Sequence, residues 1–261
     1  MTLGPSQVEA TVDVDPFDLR PEAGTETGAV ALCLHGLTGT PYEVRPVAEA
    51  LVSRGVRAVG IWMAGHNGTV DDLAATRHEE WVELARTELA SLRAEHECVY
   101  LVGVSLGGLV SLRLAETERI EGIVTVGAPL QLAPPIPLLI PLLRLLRKSR
   151  PKKPSGLADP EALARHPRFP AMPFNAVFEL IRLQKEVIPD LARIDAPILV
   201  AHGALDQTVR PRDARRLFES VGTDSRRKRL ILLERSAHVA TVDYDGAEFA
   251  ETAAAFLLAQ T

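Results

Sequence analysis

Gly103-Val104-Ser105-Leu106-Gly107 follows directly on the apolar run Cys98–Val102 and directly precedes a stretch of helical pattern. A serine on a sharp strand-to-helix turn is held in strained backbone geometry with its hydroxyl exposed, and only flanking glycines let strand and helix approach that closely. The same turn aims the Leu106 N–H and the positive end of the helix at one point, which suits a developing oxyanion. The chemistry indicated is acyl transfer by an activated serine. The pentapeptide alone is weak, because Gly and Ser at near 7% of residues each produce it in roughly one chain in ten of this length. Its context decides.

An activated serine needs a base within hydrogen-bond reach and an acid to orient that base, in the chain order Ser, then Asp or Glu, then His. Asp206 follows the apolar run Ile198–Ala201 in the loop His202-Gly203-Ala204-Leu205-Asp206. His238 follows the run Leu230–Leu233 in the loop Glu234-Arg235-Ser236-Ala237-His238. Asp213 and Asp195 are the less well placed rivals to Asp206, and no histidine follows His238 to serve instead. A second oxyanion donor belongs in an earlier loop, and His35-Gly36-Leu37-Thr38-Gly39 fits, with the Leu37 N–H paired with that of Leu106. His35, His202 and His66 read as loop props rather than reacting groups.

With these residues in order, the chain resembles the α/β-hydrolases, and among them the small bacterial carboxylesterases and monoacylglycerol lipases. The matching stretches are Leu34-His35-Gly36-Leu37-Thr38-Gly39, Gly65-His66, Trp81-Val82-Glu83, Gly103 to Gly108, the Asp206 loop and Ser236-Ala237-His238-Val239. The resemblance implies Ser105 as nucleophile, His238 as general base and then acid, Asp206 as orienting carboxylate, and Leu37 and Leu106 N–H groups as the oxyanion hole. It implies no metal and no organic cofactor. Leu37 stands where these esterases often carry an aromatic residue, and Asn67 where a second glycine commonly follows Gly65-His66; both bear on substrate fit.

The elements that must position these groups alternate. Strand-length apolar runs at Ala29–Leu34, Val56–Ile61, Cys98–Val102, Gly122–Val126, Ile198–Ala201 and Leu230–Leu233 predict a mostly parallel sheet. Amphipathic stretches at Val44–Arg54, Glu79–Ala94, Gly107–Glu116, Pro211–Val221 and Gly246–Ala259 predict helices on both faces. Ligands of such sheets bind at the carboxyl ends of the strands, where Ser105, Asp206, His238 and the His35–Gly39 loop fall. The expectation is one α/β-hydrolase domain over residues 1–261, with a small helical cap inserted after the sixth strand, the one at Gly122–Val126. The cap spans 129–191, contains no strand and has two or three short helical patterns, with Pro151–Asp159 as a mobile surface connection.

Trp62 and Met63 are candidate pocket residues, though core packing explains them as well. Ile136, Leu139 and their neighbours Leu138, Ile140, Leu142 and Leu143 could wall an acyl site or simply pack on the core. The basic residues Arg144, Arg147, Lys148, Arg150, Lys152 and Lys153 suit a transient contact with a lipid surface; a solvated, partly mobile face is the plainer reading.

The net charge of −5 on 261 residues gives no general attraction to nucleic acid, and Arg226–Arg229 has no interleaved aromatics. Cys33 and Cys98 read as buried reduced thiols, and Leu130–Leu146 is too interrupted by proline to span a membrane. The N-terminus lacks a basic flank and apolar core, which favours a cytoplasmic location. The expected partner is a small acyl ester or lipid, with no stable membrane insertion and the oligomeric state open. The function expected is a serine carboxylic-ester hydrolase for short- to medium-chain acyl esters. A monoacylglycerol lipase, a thioesterase or another reaction of the same triad is the alternative, and a non-catalytic ligand-binding relative stands further off. A degraded dinucleotide fingerprint fails on spacing, because Ser105 occupies its second glycine position.

Overall fold

Apolar side chains that alternate between two covered faces turn the central runs into one seven-stranded sheet, here described from a computed structural model. Residues 12–146, 148–152, 156–167 and 169–260 are described. The strands are β1 (Phe17–Leu19), β2 (Ala29–Leu34), β3 (Arg57–Ile61), β4 (Cys98–Val104), β5 (Gly122–Val126), β8 (Ile198–Gly203) and β9 (Lys228–Leu233). Their order is β1-β3-β2-β4-β5-β8-β9, parallel except for β1, which runs antiparallel to β3.

The period of two is visible strand by strand. On β2, Val30, Leu32 and Leu34 join one apolar cluster while Ala31 and Cys33 join the other. On β4, Val99 and Leu101 face the first, and Tyr100, Val102 and Val104 the second. Burial on both faces is why these strands read as unbroken apolar runs. Helices α1 (Arg45–Val52) and α9 (Gly246–Leu258) cover the second face through Val47, Leu51, Phe249 and Leu257. The first face is covered by α3 (His78–Glu95), α4 (Leu106–Ala115) and α8 (Arg212–Ser220). The six predicted strands and five predicted helices are all present, Ala29–Leu34 and Gly122–Val126 with the predicted ends and the others displaced by one to a few residues.

Counted along the chain, Gly122–Val126 is the fifth strand, not the sixth, because a single strand, β1, precedes β2. Between β5 and β8 lie α5 (Ile136–Leu146), β6 (Ser149–Pro151), α6 (Pro160–Arg165), β7 (Ala171–Pro173) and α7 (Phe174–Asp190). Two strands therefore stand where none was expected. They pair antiparallel over three residues, Ser149 with Pro173 and Pro151 with Ala171. Proline fixes the extended φ needed here, yet donates no ladder hydrogen bond and so keeps the ribbon short. Helix α7 is long rather than a short piece, since Leu180, Leu183 and Val187 recur three and four apart and are buried against the first face. A further short helix, α2 (Val70–Ala75), starts at Thr69, whose Oγ1 accepts the Asp72 N–H.

Pro151–Asp159 is not simply a surface connection. Pro151 ends β6; Lys153, Pro154 and Ser155 lie outside the described residues; and from Gly156 the backbone is tied to the segment that follows β9. The Gly156 carbonyl accepts the Val239 N–H at 2.8 Å. The Ala158 and Asp159 N–H groups each donate to the Asp243 carboxylate at 2.8 Å. No helix among the described residues is long and apolar enough to cross a membrane.

Candidate active site

β4 ends at Val104 and α4 begins at Leu106, leaving Ser105 alone in the turn with φ 52° and ψ −111°. A non-glycine residue held there costs roughly 1–3 kcal/mol, which the packed turn must sustain. Ser105 N–H donates to the Val126 carbonyl at 2.8 Å, and Ser105 O accepts the Leu109 N–H at 3.1 Å, so strand and helix hold the turn from both sides. The Leu106 N–H belongs to the first turn of α4, where no helical carbonyl can satisfy it.

Beyond β8 and β9 two loops are locked together. Ala204 N–H donates to Leu233 O at 2.9 Å and Leu205 N–H to Ser236 O at 3.0 Å. A Cβ on Gly203 would lie 1.9 Å from the Ala237 carbonyl oxygen, so only glycine permits this approach. The result is a relay: His238 Nε2 lies 2.9 Å from Ser105 Oγ, and His238 Nδ1 lies 2.7 Å from Asp206 Oδ2.

Asp206 is held by four partners, His238 among them. Its Oδ1 accepts the N–H groups of Thr208 at 2.7 Å and Val209 at 3.0 Å, while His202 Nε2 lies 2.9 Å from Oδ2. Burial opposes its charge, but the imidazoles of His238 and His202 and the Val209 N–H outweigh that and hold the carboxyl well below the usual range. It is an ionised acceptor at every pH of interest. His202 is the prop expected of it, acting on Asp206 rather than on Ser105.

The His35 loop faces Ser105 from β2. A Cβ on Gly36 would lie 3.3 Å from Ser105 Cβ, and Gly39 N–H closes the turn on Gly36 O at 3.0 Å. His35 places Nδ1 2.9 Å from Gly36 O and accepts the Met63 N–H at Nε2 at 3.1 Å, which fixes a neutral ring whose protonation burial further opposes. His66 is likewise fully buried, with Nδ1 3.0 Å from Ala64 O, and burial pushes its imidazole down to about 3. Both brace loops.

Among the pocket candidates, Met63 has no exposed surface and is a core residue. Trp62 is half-buried, its ring edge-on to His35 at 5.7 Å. Ile136 and Leu139 are exposed on α5, where only Ile140 is buried. The expected solvated basic face is only partly so. Arg144 stacks over the Phe178 ring at 3.8 Å, and Lys152 Nζ donates to Thr38 Oγ1 at 2.5 Å; Arg147 and Lys153 lie outside the described residues. Asp213, the rival carboxylate, accepts the Gln131 N–H at 2.9 Å.

Asp243 escaped the sequence reading, since an acid just ahead of a helix reads as a cap. Besides Ala158 and Asp159, its carboxylate accepts the N–H groups of Ala237 at 2.7 Å and Tyr244 at 2.9 Å. It thereby fixes the loop carrying His238.

A family model described as serine aminopeptidase, S33, matches residues 25–245. The chain belongs to that family. Its relatives include a thermostable monoacylglycerol lipase of Bacillus sp. (strain H-257), 31% identical over 84% of this chain and 87% of that protein. A carboxylesterase of Bacillus subtilis (strain 168) is 29% identical over 81% and 85% of the two chains. A solved structure of a metagenome-derived lipolytic enzyme superposes with a TM-score of 0.86 at 23% identity, covering 96% of this chain and all of that one. This S33 member is thus a serine hydrolase with the α/β-hydrolase fold, and its resemblance to carboxylesterases and monoacylglycerol lipases holds.

Proposed function

We propose that this S33-family protein is a carboxylic-ester hydrolase for short- to medium-chain acyl esters, with Ser105 as nucleophile, His238 as base and acid, and Asp206 as orienting carboxylate. The supporting observation is the pair of hydrogen-bond distances, 2.9 Å from His238 to Ser105 and 2.7 Å from His238 to Asp206. Ser105 Oγ attacks the ester carbonyl carbon while His238 Nε2 takes its proton, and the oxyanion is held by the N–H groups of Leu37 and Leu106. The C–O bond then breaks, the alcohol leaves with the proton from His238, and an acyl-Ser105 remains. Water repeats the sequence, giving its proton to His238 as it attacks, and the carboxylic acid leaves as the proton returns to Ser105. Asp206 stays ionised and stabilises the imidazolium.

Residues 129–191 are taken as the cap, with Trp62, Ile136 and Leu139 toward the acyl site and Met63 behind them. A monoacylglycerol is the second substrate reading, favoured by the bare apolar face of α5, where Leu138 is 80%, Leu145 75% and Leu142 56% exposed. Contiguous apolar surface of this kind marks an interaction site, and we take it as a transient lipid contact. A cytoplasmic location accords with the free thiols Cys33 and Cys98. The test is a panel of p-nitrophenyl esters from acetate to laurate beside monoacylglycerols, acyl thioesters and aminoacyl amides. Turnover of the shorter oxygen esters, lost in Ser105→Ala, is expected; no oxygen-ester turnover contradicts the reading.

A further inference from the structure

Glu43 is a buried carboxylate that the mechanism above does not use. It sits in a 3-10 turn just past the oxyanion loop, its residue 3% exposed. Its Oε2 accepts the Gly36 N–H at 2.8 Å, which belongs to the His35–Gly36 peptide, one peptide group before the one that carries the Leu37 N–H. The loop is folded around this carboxylate: a Cβ on Gly39 would lie 2.3 Å from both its oxygens, and one on Gly36 3.0 Å from Oε2. Its own carbonyl accepts the Thr241 hydroxyl at 2.6 Å, joining it to the segment beyond His238.

The other side of the carboxylate is met from 129–191. His166 Nε2, at the end of α6, lies 3.2 Å from Glu43 Oε1, and both side chains are buried. Burial opposes ionisation of Glu43, yet the His166 contact and the Gly36 N–H hold its carboxyl at about 2. The neighbouring Thr38 has φ 61°, a left-handed conformation that a β-branched residue rarely adopts. It too is held from 129–191, by the Phe169 N–H to its carbonyl at 3.4 Å and by Lys152 to its hydroxyl.

We propose that Glu43 is a positioning residue for the oxyanion hole, aiming the Leu37 N–H by accepting the Gly36 N–H, and that His166 of the inserted segment holds it in place. The inserted segment then does more than cover the substrate. It completes the site, because the donor that meets the transition-state oxygen is set by a carboxylate whose partner lies in the insertion. The role requires an acceptor at Glu43, which separates it from simple filling of space.

The inference rests on the ester-hydrolase reading, and the experiment keeps the two apart. Wild type, Ser105→Ala, Glu43→Ala, Glu43→Gln, His166→Ala and Glu43→Ala/His166→Ala are assayed on p-nitrophenyl butyrate, with melting temperatures recorded for each. Inhibition by an alkyl boronic acid, which forms an anionic adduct on the serine, is measured in parallel. Glu43→Ala should lower kcat roughly tenfold or more with KM within about twofold, and raise the boronate Ki in step, since a misaimed donor is felt in the transition state. Glu43→Gln should return kcat to within about threefold of wild type, because its amide oxygen can still accept the Gly36 N–H. His166→Ala should fall between them, and the double variant should be no worse than Glu43→Ala, as for two groups acting through one bond. A folded Glu43→Ala with wild-type kcat, or a Glu43→Gln as impaired as the alanine variant, overturns the inference. Should Glu43→Ala not fold, His166→Ala and Glu43→Gln decide by the same criteria. An inactive wild type counts against the ester reading instead.

Discussion

Gly107, two residues past Ser105, packs so closely on β2 that a Cβ there would lie 2.0 Å from the Leu34 carbonyl oxygen. The turn carrying Ser105, the proposed nucleophile, is thus seated directly against β2, the strand that leads into the His35–Gly39 loop. Gly107→Ala should destabilise the fold by about 1–3 kcal/mol and depress kcat at the same time, because relief of the clash must move one catalytic loop relative to the other. Urea unfolding followed by circular dichroism, run beside steady-state kinetics, measures both; an unchanged midpoint contradicts the packing.

Asp206→Asn should lower kcat by about 10⁴, as loss of the orienting charge does in related relays. It also carries a stability signature. The carboxyl is depressed in the folded state, so its contribution is present above the unfolded value near 4 and fades as pH falls toward the folded value. The melting-temperature gap between wild type and Asp206→Asn should therefore be wide at pH 7 and narrow progressively below pH 4.

Glu116 behaves oppositely. Its side chain is enclosed, with Arg113 at 2.7 Å as an ionic partner, and burial raises its carboxyl to about 7 despite that partner. A raised acid favours the native state while neutral, so stability falls as pH climbs from about 4.5 to 7 and is level above. Glu116→Gln, which mimics the neutral form, should match wild type at pH 4 and exceed it at pH 8 by at most roughly 3 kcal/mol. Thermal melts across that range check the sign.

The sheet was legible because its strands are buried on both faces and so appear as uninterrupted apolar runs; Ala29–Leu34 and Gly122–Val126 even have the predicted ends. Ser105, Asp206 and His238 could be nominated from the sequence because each follows a strand-length apolar run in the expected chain order, and the fold brings the three within hydrogen-bond distance. The inserted segment was not. Its short strands contain Pro151 and Pro173, which argue locally against a sheet, and pair only because β6 and β7 meet across a fold the sequence does not announce. Glu43 and Asp243 were missed for a related reason: each reads as an ordinary acid at a helix start, and its worth comes from partners on other loops, His166 for one and Ala158 for the other.

The proposed lipid contact of the exposed α5 face can be separated from a role in the acyl site. Leu138→Ser with Leu142→Ser should leave hydrolysis of a dissolved short-chain ester within about twofold of wild type. Turnover of emulsified monoacylglycerol and binding to vesicles should both fall, because apolar area drives surface adsorption. Equal loss on dissolved and emulsified substrates would argue that these leucines line the acyl site instead.

Ser105 as an activated nucleophile is tested most directly by a fluorophosphonate probe followed by peptide mass mapping. Wild type should carry one adduct, on the peptide containing Ser105, and Ser105→Ala should carry none while keeping its melting temperature. Labelling that is absent from wild type, or that persists unchanged in Ser105→Ala, contradicts the account.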